Sequence, residues 1–569
     1  MHFRNPAIFL SVAGVFAAAI GVLNACSLLV DTRATTCSVD SECSALALGA
    51  TCSSSGTCLL PGDSSILVKD GAATLGGCTT NAECIGKAGG EPSICQKAAR
   101  KCVRLTTADC PIVFGVSTSG DLLTDRRAVE SDDTLVLGSL TSLAGANQAK
   151  GEARVSGVQL ALSEFSTRGG VPFGDRNRPV AFVSCNDVDL TQPDAGVDKA
   201  VVRATRHLVE EVGVPAIIGA GTSSTTTDAI RGACTKGTLL IAPSATSPAL
   251  TTNADKSGLF LRTAPSDALQ AIPLAQLAGD AEAALSPGAH RLMLLTKNDS
   301  YGQGLRDQII DKLLFNGKKL GDPTNAAVAK LFEFSADPNF DFTPLVNAAI
   351  SLLPQVVVVA GTNEAVDGIV AKVEAAWPVG TPRPVYIASD GLKADKLLNL
   401  VKADDSSAIP TGLRSRVRGT APGRPTSVTQ TFALRYASRF PAAPGAASSF
   451  GTAGAYDAAY LLFYGLAASG IEPVSGRTIL DGIAGTVVVE GRTPIEVGPT
   501  GIDTAKPLLR SKSPFKLVGS SSPLDFDAAG ESPSDIEVWC VRSGGTFFST
   551  ERYYSATSRT VVGAFTCPN

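Results

Sequence analysis

Short runs of valine, isoleucine and leucine alternate with amphipathic stretches from residue 134 onwards. The apolar runs occupy residues 134–140, 180–184, 214–218, 239–242, 291–296, 355–360 and 384–388. Between them, the stretches 151–167 and 196–212 have a helical pattern, and in the second of these Val201, Ala204 and Leu208 recur at helical spacing. Near-continuous apolar strands separated by helices indicate parallel sheets covered on both faces. The pattern predicts an α/β chain with two such units, either as independent domains or as one two-lobed protein.

The chain before residue 134 has a different pattern. Glycine and serine punctuate residues 61–77, and residues 106–133 are mixed and only weakly periodic. We interpret both stretches as linkers, the second of which leads into the first strand. Near the C-terminus, residues 546–554 alternate as a strand does.

Most of the fourteen cysteines are clustered near the N-terminus. Two blocks repeat the spacing C-x5-C-x8–10-C-x5–6-C, and their members are Cys37, Cys43, Cys52, Cys58, Cys78, Cys84, Cys95 and Cys102. Zinc ribbons usually present C-x2-C pairs, which this spacing does not offer. In an oxidising compartment these cysteines are expected to form disulfides, because modules this short cannot bury a sufficient core. Four cysteines allow three connectivities for each module, and the spacing leaves them open. The modules could form a stalk or a partner surface.

The N-terminus has the features of an export signal. Arg4 precedes an apolar run over residues 6–23, and small residues follow before Cys26. The tetrapeptide LNAC that ends at Cys26 resembles the bacterial lipobox, in which that cysteine is lipidated and becomes the mature N-terminus. An uncleaved signal anchor is the alternative, because the apolar run is near the lower length that spans a bilayer. Ser27 at the next position favours the outer membrane, by resemblance to diderm sorting signals.

Composition excludes several functional classes. Charged residues make up 18% of the chain and the net charge is −4, so neither nucleic acid nor an anionic surface is an expected partner. Three histidines, His2, His207 and His290, offer little for metal or acid–base chemistry. The chain contains no G-x-S-x-G elbow and no phosphate-binding G-x-x-x-x-G-K-[ST] loop. We therefore expect neither an enzyme nor a bound cofactor or metal.

Nine short motifs occur in the order found in one family of binding proteins. They are LVLGSLT at 135–141, GVQLA at 157–161, RGGV at 168–171, SCND at 184–187, IIG at 217–219, IAPSATSP at 241–248, FLRTAPSD at 260–267, DSYG at 299–302 and YDAA at 456–459. In this order they resemble the branched-chain amino-acid-binding proteins of ABC transporters, which have the type 1 periplasmic-binding-protein fold. The resemblance implies two doubly wound parallel-sheet lobes that close by a hinge around a small ligand.

The resemblance also predicts the domain boundaries. Residues 1–25 form the signal peptide and residues 26–110 the cysteine-rich region. The first lobe comprises 132–262 together with 420–500, and the second lobe 263–419. A C-terminal extension over 501–569 remains, for which the family pattern provides no function.

The matching positions imply a set of ligand-binding residues. These are Ser223, Ser224, Ser244, Ala245 and Thr246 in the first lobe, and Tyr301 and Asp390 in the second. The resemblance gives Ser223 and Thr246 contacts to the carboxylate and ammonium end of an amino acid, Tyr301 the cover of the ligand, and Asp390 the pairing with an α-ammonium. Three of them also have a purely structural interpretation: Ser223 as a helix N-cap, Tyr301 as part of a turn, and Asp390 as a turn former. Thr362 and Asn363 stand where branched-chain binders carry a second aromatic, which argues for a ligand that is more polar or differently shaped.

Five cysteines lie outside the repeated blocks and the lipobox. Cys185 and Cys234 flank the first lobe's cleft region and are expected to pair. Cys540 and Cys567 enclose the strand-like stretch 546–554 and are expected to form a second bridge. Cys110 is then left to pair differently, to join another chain or to remain free.

Two functions remain in view. In the first, the chain is a lipid-anchored protein of the cell envelope that captures an amino acid or a similar zwitterion or carboxylate. It would deliver this ligand to an ABC permease or report it to a sensor. In the second, the same fold is a scaffold that binds a protein partner such as a cell-wall synthase, as in outer-membrane lipoproteins that activate such enzymes.

Overall fold

The computed structural model describes residues 51–52, 58–59, 77–189 and 199–568. The chain forms two compact units, residues 1–73 and 74–569. In the first unit, β1 (Thr51–Cys52) and β2 (Cys58–Leu59) form an antiparallel pair. The predicted signal segment, Cys26, Cys37 and Cys43 lie outside the described residues, and of Cys52 and Cys58 only the backbone is described.

The second unit contains the remaining strands and helices. Its described strands are β3 (Ser93–Gln96), β4 (Lys101–Arg104), β5 (Ile112–Val116), β6 (Leu122–Thr124), β7 (Leu135–Thr141), β8 (Val171–Phe173), β9 (Arg176–Arg178), β10 (Val180–Asn186), β11 (Ala216–Gly219), β12 (Leu239–Ala242), β13 (Phe260–Arg262), β14 (Leu292–Lys297), β15 (Leu314–Phe315), β16 (Lys318–Lys319), β17 (Ala329–Phe334), β18 (Val356–Ala360), β19 (Val385–Ala388), β20 (Val417–Pro422), β21 (Pro494–Glu496), β22 (Lys516–Val518), β23 (Ile536–Arg542), β24 (Thr546–Ser555) and β25 (Thr560–Val562). Its described α-helices are α1 (Asn81–Lys87), α2 (Gln148–Ser166), α3 (Ala200–Arg206), α4 (Ser223–Ala233), α5 (Asp267–Ala283), α6 (Ser300–Lys312), α7 (Thr343–Leu352), α8 (Asn363–Ala365), α9 (Ala371–Ala376), α10 (Asp395–Asp405), α11 (Leu413–Arg416), α12 (Ser427–Arg439), α13 (Thr452–Ser469), α14 (Gly476–Gly482) and α15 (Pro499–Arg510).

A seven-stranded sheet forms the first lobe, with the strand order β13-β12-β11-β7-β10-β5-β6. The strands from β7 to β13 in this sheet are parallel, as predicted from their apolar runs, and β5 joins β10 antiparallel. The interpretation of residues 106–133 as a linker is therefore wrong for β5 and β6. Val113, Phe114 and Val116 are buried, and β5 is a strand because it pairs with β10, more than sixty residues further along the chain.

Helix α13 lies buried against this sheet and contains almost no exposed residue. Its aromatic side chains meet those of α2, where Phe165 contacts Tyr460, Phe463 and Tyr464 with ring centroids 5.0–5.6 Å apart. The two helices approach closely because α2 carries Gly157, where a Cβ atom would lie 2.6 Å from the carbonyl oxygen of Thr452. The YDAA and GVQLA motifs are thus explained mainly by the packing of this lobe.

An eight-stranded sheet forms the second lobe, with the order β17-β14-β18-β19-β20-β23-β24-β25. The first five strands are parallel and the last three antiparallel. The predicted C-terminal extension is therefore not a separate segment. Its first part, with Ile502, Leu509 and Leu517, completes the core of the first lobe, and its last part provides β23–β25 of the second sheet. Trp539 on β23 is fully buried in the second core, which the short alternating stretch alone did not indicate.

Three segments connect the lobes, after β13, after β20 and between β22 and β23. Arg262 at the end of β13 is fully buried and donates to Glu531 in the third segment, 2.6 Å away. Asp457 on α13 accepts from the backbone and hydroxyl groups of Ser520 and Ser521 in that same segment, over 2.6–2.9 Å. Buried charge-assisted bonds therefore fix the third segment to the first lobe.

The second cysteine module is attached directly to the first lobe. Its disulfides join Cys78 to Cys95 and Cys84 to Cys102, which confirms disulfides for this module and selects one of the three connectivities. Asn81 of α1 donates to the carbonyl oxygen of Val129 over 2.9 Å. The residues just after the module, including Leu105, are buried in the core of the first lobe. This module is therefore part of the lobe's surface.

The remaining bridges differ in part from the prediction. Cys540 pairs with Cys567 as predicted. The prediction that Cys185 pairs with Cys234 is wrong, because Cys185 is bonded to Cys110 and Cys234 is free and buried. Antiparallel pairing of β5 with β10 brings residue 110 to the end of β10, a neighbourhood that depends on long-range strand pairing.

Candidate functional site

The carboxyl ends of the parallel strands in both lobes face a cleft, where a cavity of about 50 Å³ lies between the lobes. Its lining residues are Asn147, Lys150, Arg154, Gly221, Thr222, Ser223, Ser244, Thr246, Lys297, Asp299, Tyr301, Thr362, Asp390, Gly391 and Phe450. Five of the seven predicted ligand-binding residues are among them. The other two, Ser224 and Ala245, lie beside the cavity without lining it.

The first lobe contributes the start of α4. Thr222 is the N-cap of this helix and forms a capping box with Thr225, so the interpretation of Ser223 as the N-cap is wrong. Ser223 is the first helical residue, and its hydroxyl oxygen accepts the N–H groups of Thr246 and Ser247 over 3.3 and 3.2 Å. Ser223 thus joins the two loops that the motifs predicted to act together.

Asp187 fixes the loop at Gly221 by hydrogen bonds. It is buried and accepts the N–H of Gly221 over 2.6 Å and the hydroxyl of Ser142 over 2.9 Å. Burial raises the pKa of the Asp187 carboxyl, while these hydrogen bonds act in the opposite direction. The SCND motif therefore supplies a buried acid that positions the loop at Gly221.

The second lobe contributes Tyr301 and Asp390, which are buried next to each other. The Tyr301 hydroxyl lies 2.7 Å from a carboxylate oxygen of Asp390, and Gln270 of α5 donates to the same oxygen over 2.9 Å. Burial raises the pKa of the Asp390 carboxyl, and the bonds from Tyr301 and Gln270 oppose that rise. Asp390 begins a 3-10 turn, but its side chain also accepts hydrogen bonds in a buried network. Turn formation alone therefore does not explain an aspartate at this position. Sequence reasoning missed Gln270.

A second buried acid, Asp267, starts α5 near this network. Burial and the neighbouring charge of Asp390 raise the pKa of the Asp267 carboxyl well above its usual value. Burial also raises the pKa of the Asp390 carboxyl, so each of the two buried acids disfavours the ionised form of the other.

Two basic residues on α2, Lys150 and Arg154, also line the cavity, and sequence reasoning missed both. They are 9% and 5% exposed and lie one helical turn apart on the same face. Arg154 donates to the carbonyl oxygens of Gly221 and Phe450 over 3.0 and 3.2 Å. The signal was present in the sequence, since both interrupt an otherwise apolar helix face, but only the lobe arrangement turns that face toward a cleft.

The two lobes touch across the cleft. Ser247 donates to the carbonyl oxygen of Ser300 over 2.8 Å, and the N–H of Ser300 donates to the hydroxyl oxygen of Ser224 over 3.2 Å. Lys150 of the first lobe donates to the carbonyl oxygen of Gly391 in the second over 3.2 Å. The structure therefore represents a closed arrangement of the lobes.

Helix α6 is positioned by a close backbone approach that explains the DSYG motif. Asp299 is its N-cap and accepts the N–H of Gly302 over 2.9 Å. A Cβ atom at Gly302 would lie 2.1 Å from the carbonyl oxygen of Lys297, so only glycine fits there. Gly302 therefore allows α6 to start where it does, and this start places Tyr301 over the cavity.

A second cavity of about 150 Å³ lies among the segments that connect the lobes. Asp390 and Phe450 line both cavities, so the two meet at these side chains. Its other walls include the charged Lys393, Arg424 and Glu537, but most of the lining surface is apolar, with Pro243, Ala264, Pro265, Ala421, Pro422 and Ala453 among the small or apolar residues. The polar end of the cleft is therefore continued by a largely apolar compartment near the hinge.

Comparison with known families identifies the fold. The sequence profile of the family described as "Periplasmic binding protein" matches residues 134–505, well over half of the chain. The chain belongs to the periplasmic binding protein family. Proteins of this family are extracytoplasmic binding proteins and not enzymes, which agrees with the resemblance that the nine motifs carried.

Solved structures of this family resemble the chain over the full length of their own chains. The branched-chain amino acid transporter substrate-binding protein LivJ of Streptococcus pneumoniae, in complex with isoleucine, is 20% identical with a TM-score of 0.53, and the match covers 73% of this chain and 99% of that one. The leucine-binding protein LivK of Thermotoga maritima is 17% identical with a TM-score of 0.53, over 73% and 97% of the two chains. A solute-binding protein of an ABC transporter from Rhodopseudomonas palustris BisB5, in complex with 3,4-dihydroxybenzoic acid, is 16% identical with a TM-score of 0.52, over 74% and 98%. None of the curated proteins matches the chain.

Two further observations concern the described part of the chain. His207 and His290 both have partners: His207 contacts Glu211 and the carbonyl oxygen of Leu105, and His290 contacts Glu282 and the carbonyl oxygen of Ser286. Both are thus satisfied structural residues. Among the described helices, none combines the length and the apolar character needed to cross a membrane.

Proposed function

We propose that the protein is a lipid-anchored solute-binding protein that captures a small carboxylate or amino acid by closure of its two lobes. The observation that supports this most directly is the convergence of Ser223, Thr246, Tyr301 and Asp390 on one cavity between the lobes. The N-terminus of α4 adds free N–H groups and the positive end of the helix dipole, which favour a carboxylate. Ligand transfer to an ABC permease, or to a sensor, would follow from opening of the lobes.

The interlobe contacts support closure as the binding step. Ser224, Ser247 and Ser300 bond across the cleft, and these bonds break when the lobes rotate apart. Ligands of both expected classes occur in relatives of this fold, isoleucine in one and 3,4-dihydroxybenzoic acid in another. The fold is therefore compatible with an amino acid or an aromatic acid.

The binding test is a thermal-shift screen of the purified full chain, with its disulfides intact, against amino acids and small organic acids. A ligand at a hundred times its dissociation constant adds about 2.7 kcal/mol to the free energy of unfolding. If that ligand is an amino acid, we expect Asp390→Asn to weaken its binding about tenfold to a hundredfold, because the ligand ammonium loses a charged hydrogen-bond partner.

Asp307→Asn is the matched control, because Asp307 lies exposed on α6 in the same lobe and the substitution makes the same change from acid to amide. The Asp307→Asn variant should bind the same ligand with the affinity of the unmodified protein. If no solute stabilises the folded protein, solute binding is excluded and a protein partner, such as a cell-wall synthase, becomes the function to test.

The lipid anchor has a separate test. We expect palmitate supplied to growing cells to label the unmodified protein, and Cys26→Ser to abolish both the label and the membrane association. Label that persists in the Cys26→Ser variant would place the modification elsewhere and contradict the lipobox assignment. Fractionation of the same cells into inner and outer membranes tests the expected outer-membrane location.

A further inference from the structure

Lys150 brings a positive charge from the first lobe to the position where Asp390 begins its turn in the second. Its ammonium donates to the carbonyl oxygen of Gly391, the residue that follows Asp390. The charge of Lys150 lowers the pKa of Asp390, opposing the rise that burial causes. Asp390 thus already has a protein cation near it in the closed state, in addition to its bonds from Tyr301 and Gln270.

The acids around the cavity are engaged by protein groups. Asp299 contacts the ammonium of Lys297 at 3.1 Å. Asp390 is bonded as described, and burial together with the charge of Asp390 raises the pKa of the Asp267 carboxyl well above its usual value. A ligand ammonium placed at the Asp390 carboxylate would therefore meet the positive charge of Lys150 beside it.

Lys150 and Arg154 donate hydrogen bonds to neutral groups, chiefly the carbonyl oxygens of Gly391, Gly221 and Phe450, and neither is in ion-pair contact with a described carboxylate. Burial, and the charge of Arg154, lower the pKa of Lys150 to about 8, although Asp390 and Glu364 oppose the shift. Burial likewise lowers the pKa of Arg154 to about 10. Lowered values mean that the charged forms are destabilised where they lie, so an anion bound between Lys150, Arg154 and the start of α4 would stabilise both.

We propose that Lys150 takes the place of a ligand ammonium, so that the cleft selects a small carboxylic acid that lacks an α-ammonium group. The carboxylate lies in the cleft cavity beside Lys150, Arg154 and Thr246. The remainder of the ligand extends past Phe450 into the apolar hinge cavity, which favours an aliphatic or aromatic body. This inference rests on the proposed solute-binding function and names the ligand class for that site.

The experiment compares matched pairs of ligands by isothermal titration calorimetry on the full chain. Each pair is an amino acid and its deaminated acid, such as leucine with 4-methylpentanoate and phenylalanine with 3-phenylpropionate, and benzoate is added as an aromatic acid. We expect at least one deaminated acid to bind the unmodified protein about tenfold or more tightly than its amino acid. Lys150→Met, which removes the charge and keeps a similar length, should weaken that acid about tenfold to a hundredfold and improve the amino acid.

Lys150→Arg, which retains a positive charge, should keep the preference for the acid. Glu152→Gln, on the exposed face of the same helix, should change neither affinity. The proposed ligand class is wrong if the unmodified protein prefers the amino acid. It is also wrong if Lys150→Met leaves the ratio of the two dissociation constants unchanged. Either result leaves solute binding itself intact. Absence of binding to every member of both series overturns the proposed function as well. If a variant fails to fold, the ratio of the two dissociation constants in the unmodified protein still tests the proposed ligand class.

Discussion

Replacing Glu531 with alanine lowers the free energy of unfolding by about 3 kcal/mol, because it leaves the guanidinium of Arg262 buried without its charged partner. Arg262 is fully buried and its Nη2 lies 2.6 Å from the Glu531 carboxylate. Burial already lowers the pKa of Arg262, and Glu531 is the leading group that opposes this shift. Urea denaturation followed by circular dichroism measures the loss.

Glu490→Ala is the matched control, because Glu490 pairs with Lys516 while 83% of its side chain is exposed to solvent. That substitution should leave the unfolding transition unchanged. Equal transitions for the Glu531 and Glu490 variants would contradict the view that the buried pair holds the third connecting segment. Since this segment joins the lobes, Glu531→Ala should also reduce ligand-dependent stabilisation.

Removing the disulfide between Cys110 and Cys185, by alanine at both positions, destabilises the protein by about 4 kcal/mol in the loop-closure account. The bond closes a loop over 75 positions, whereas the bond between Cys540 and Cys567 closes one over only 27. The second pair, replaced in the same way, should therefore cost about 1 kcal/mol less. Thermal unfolding of the two double variants under identical conditions measures the difference.

Peptide mapping under non-reducing conditions tests the pairing itself. We expect a peptide that contains Cys110 linked to one that contains Cys185, and Cys234 as a free thiol that reacts only after unfolding. Burial raises the pKa of the Cys234 thiol to about 12, so that it remains an unreactive thiol in the folded state. A link between Cys185 and Cys234 would refute the pairing and restore the assignment made from the sequence.

The closed cleft has a consequence for specificity. The predicted zwitterion site paired lobe 1 donors with an acid of lobe 2, and the structure contains both sets. It also places two buried cations between them, which changes the electrostatic balance that a ligand meets. The same residues are those of the proposed solute site, and we propose that the neighbouring cations alter which solute is favoured.

Local pattern was sufficient for much of the fold. The apolar runs predicted β7, β10, β11, β12, β14, β18 and β19 to within a few residues, because strands buried on both faces must be continuously apolar. The motif order predicted the family and the cleft, and five of seven proposed ligand-binding residues line one cavity. Cysteine spacing predicted disulfides in the second module without selecting their connectivity.

Features that depend on distant parts of the chain were decided only by the tertiary structure. Strand β5 is a short apolar run, IVFGV, that we grouped with a linker, and its long-range pairing with β10 determines the partner of Cys110. Strands β23–β25 extend the second sheet because β23 pairs with β20 across more than a hundred residues. Lys150 and Arg154 interrupt an apolar helix face in the sequence, but they become cleft residues only because the two lobes close on that face. Sequence determines what each segment can bury, whereas the arrangement of the lobes determines which polar side chains meet.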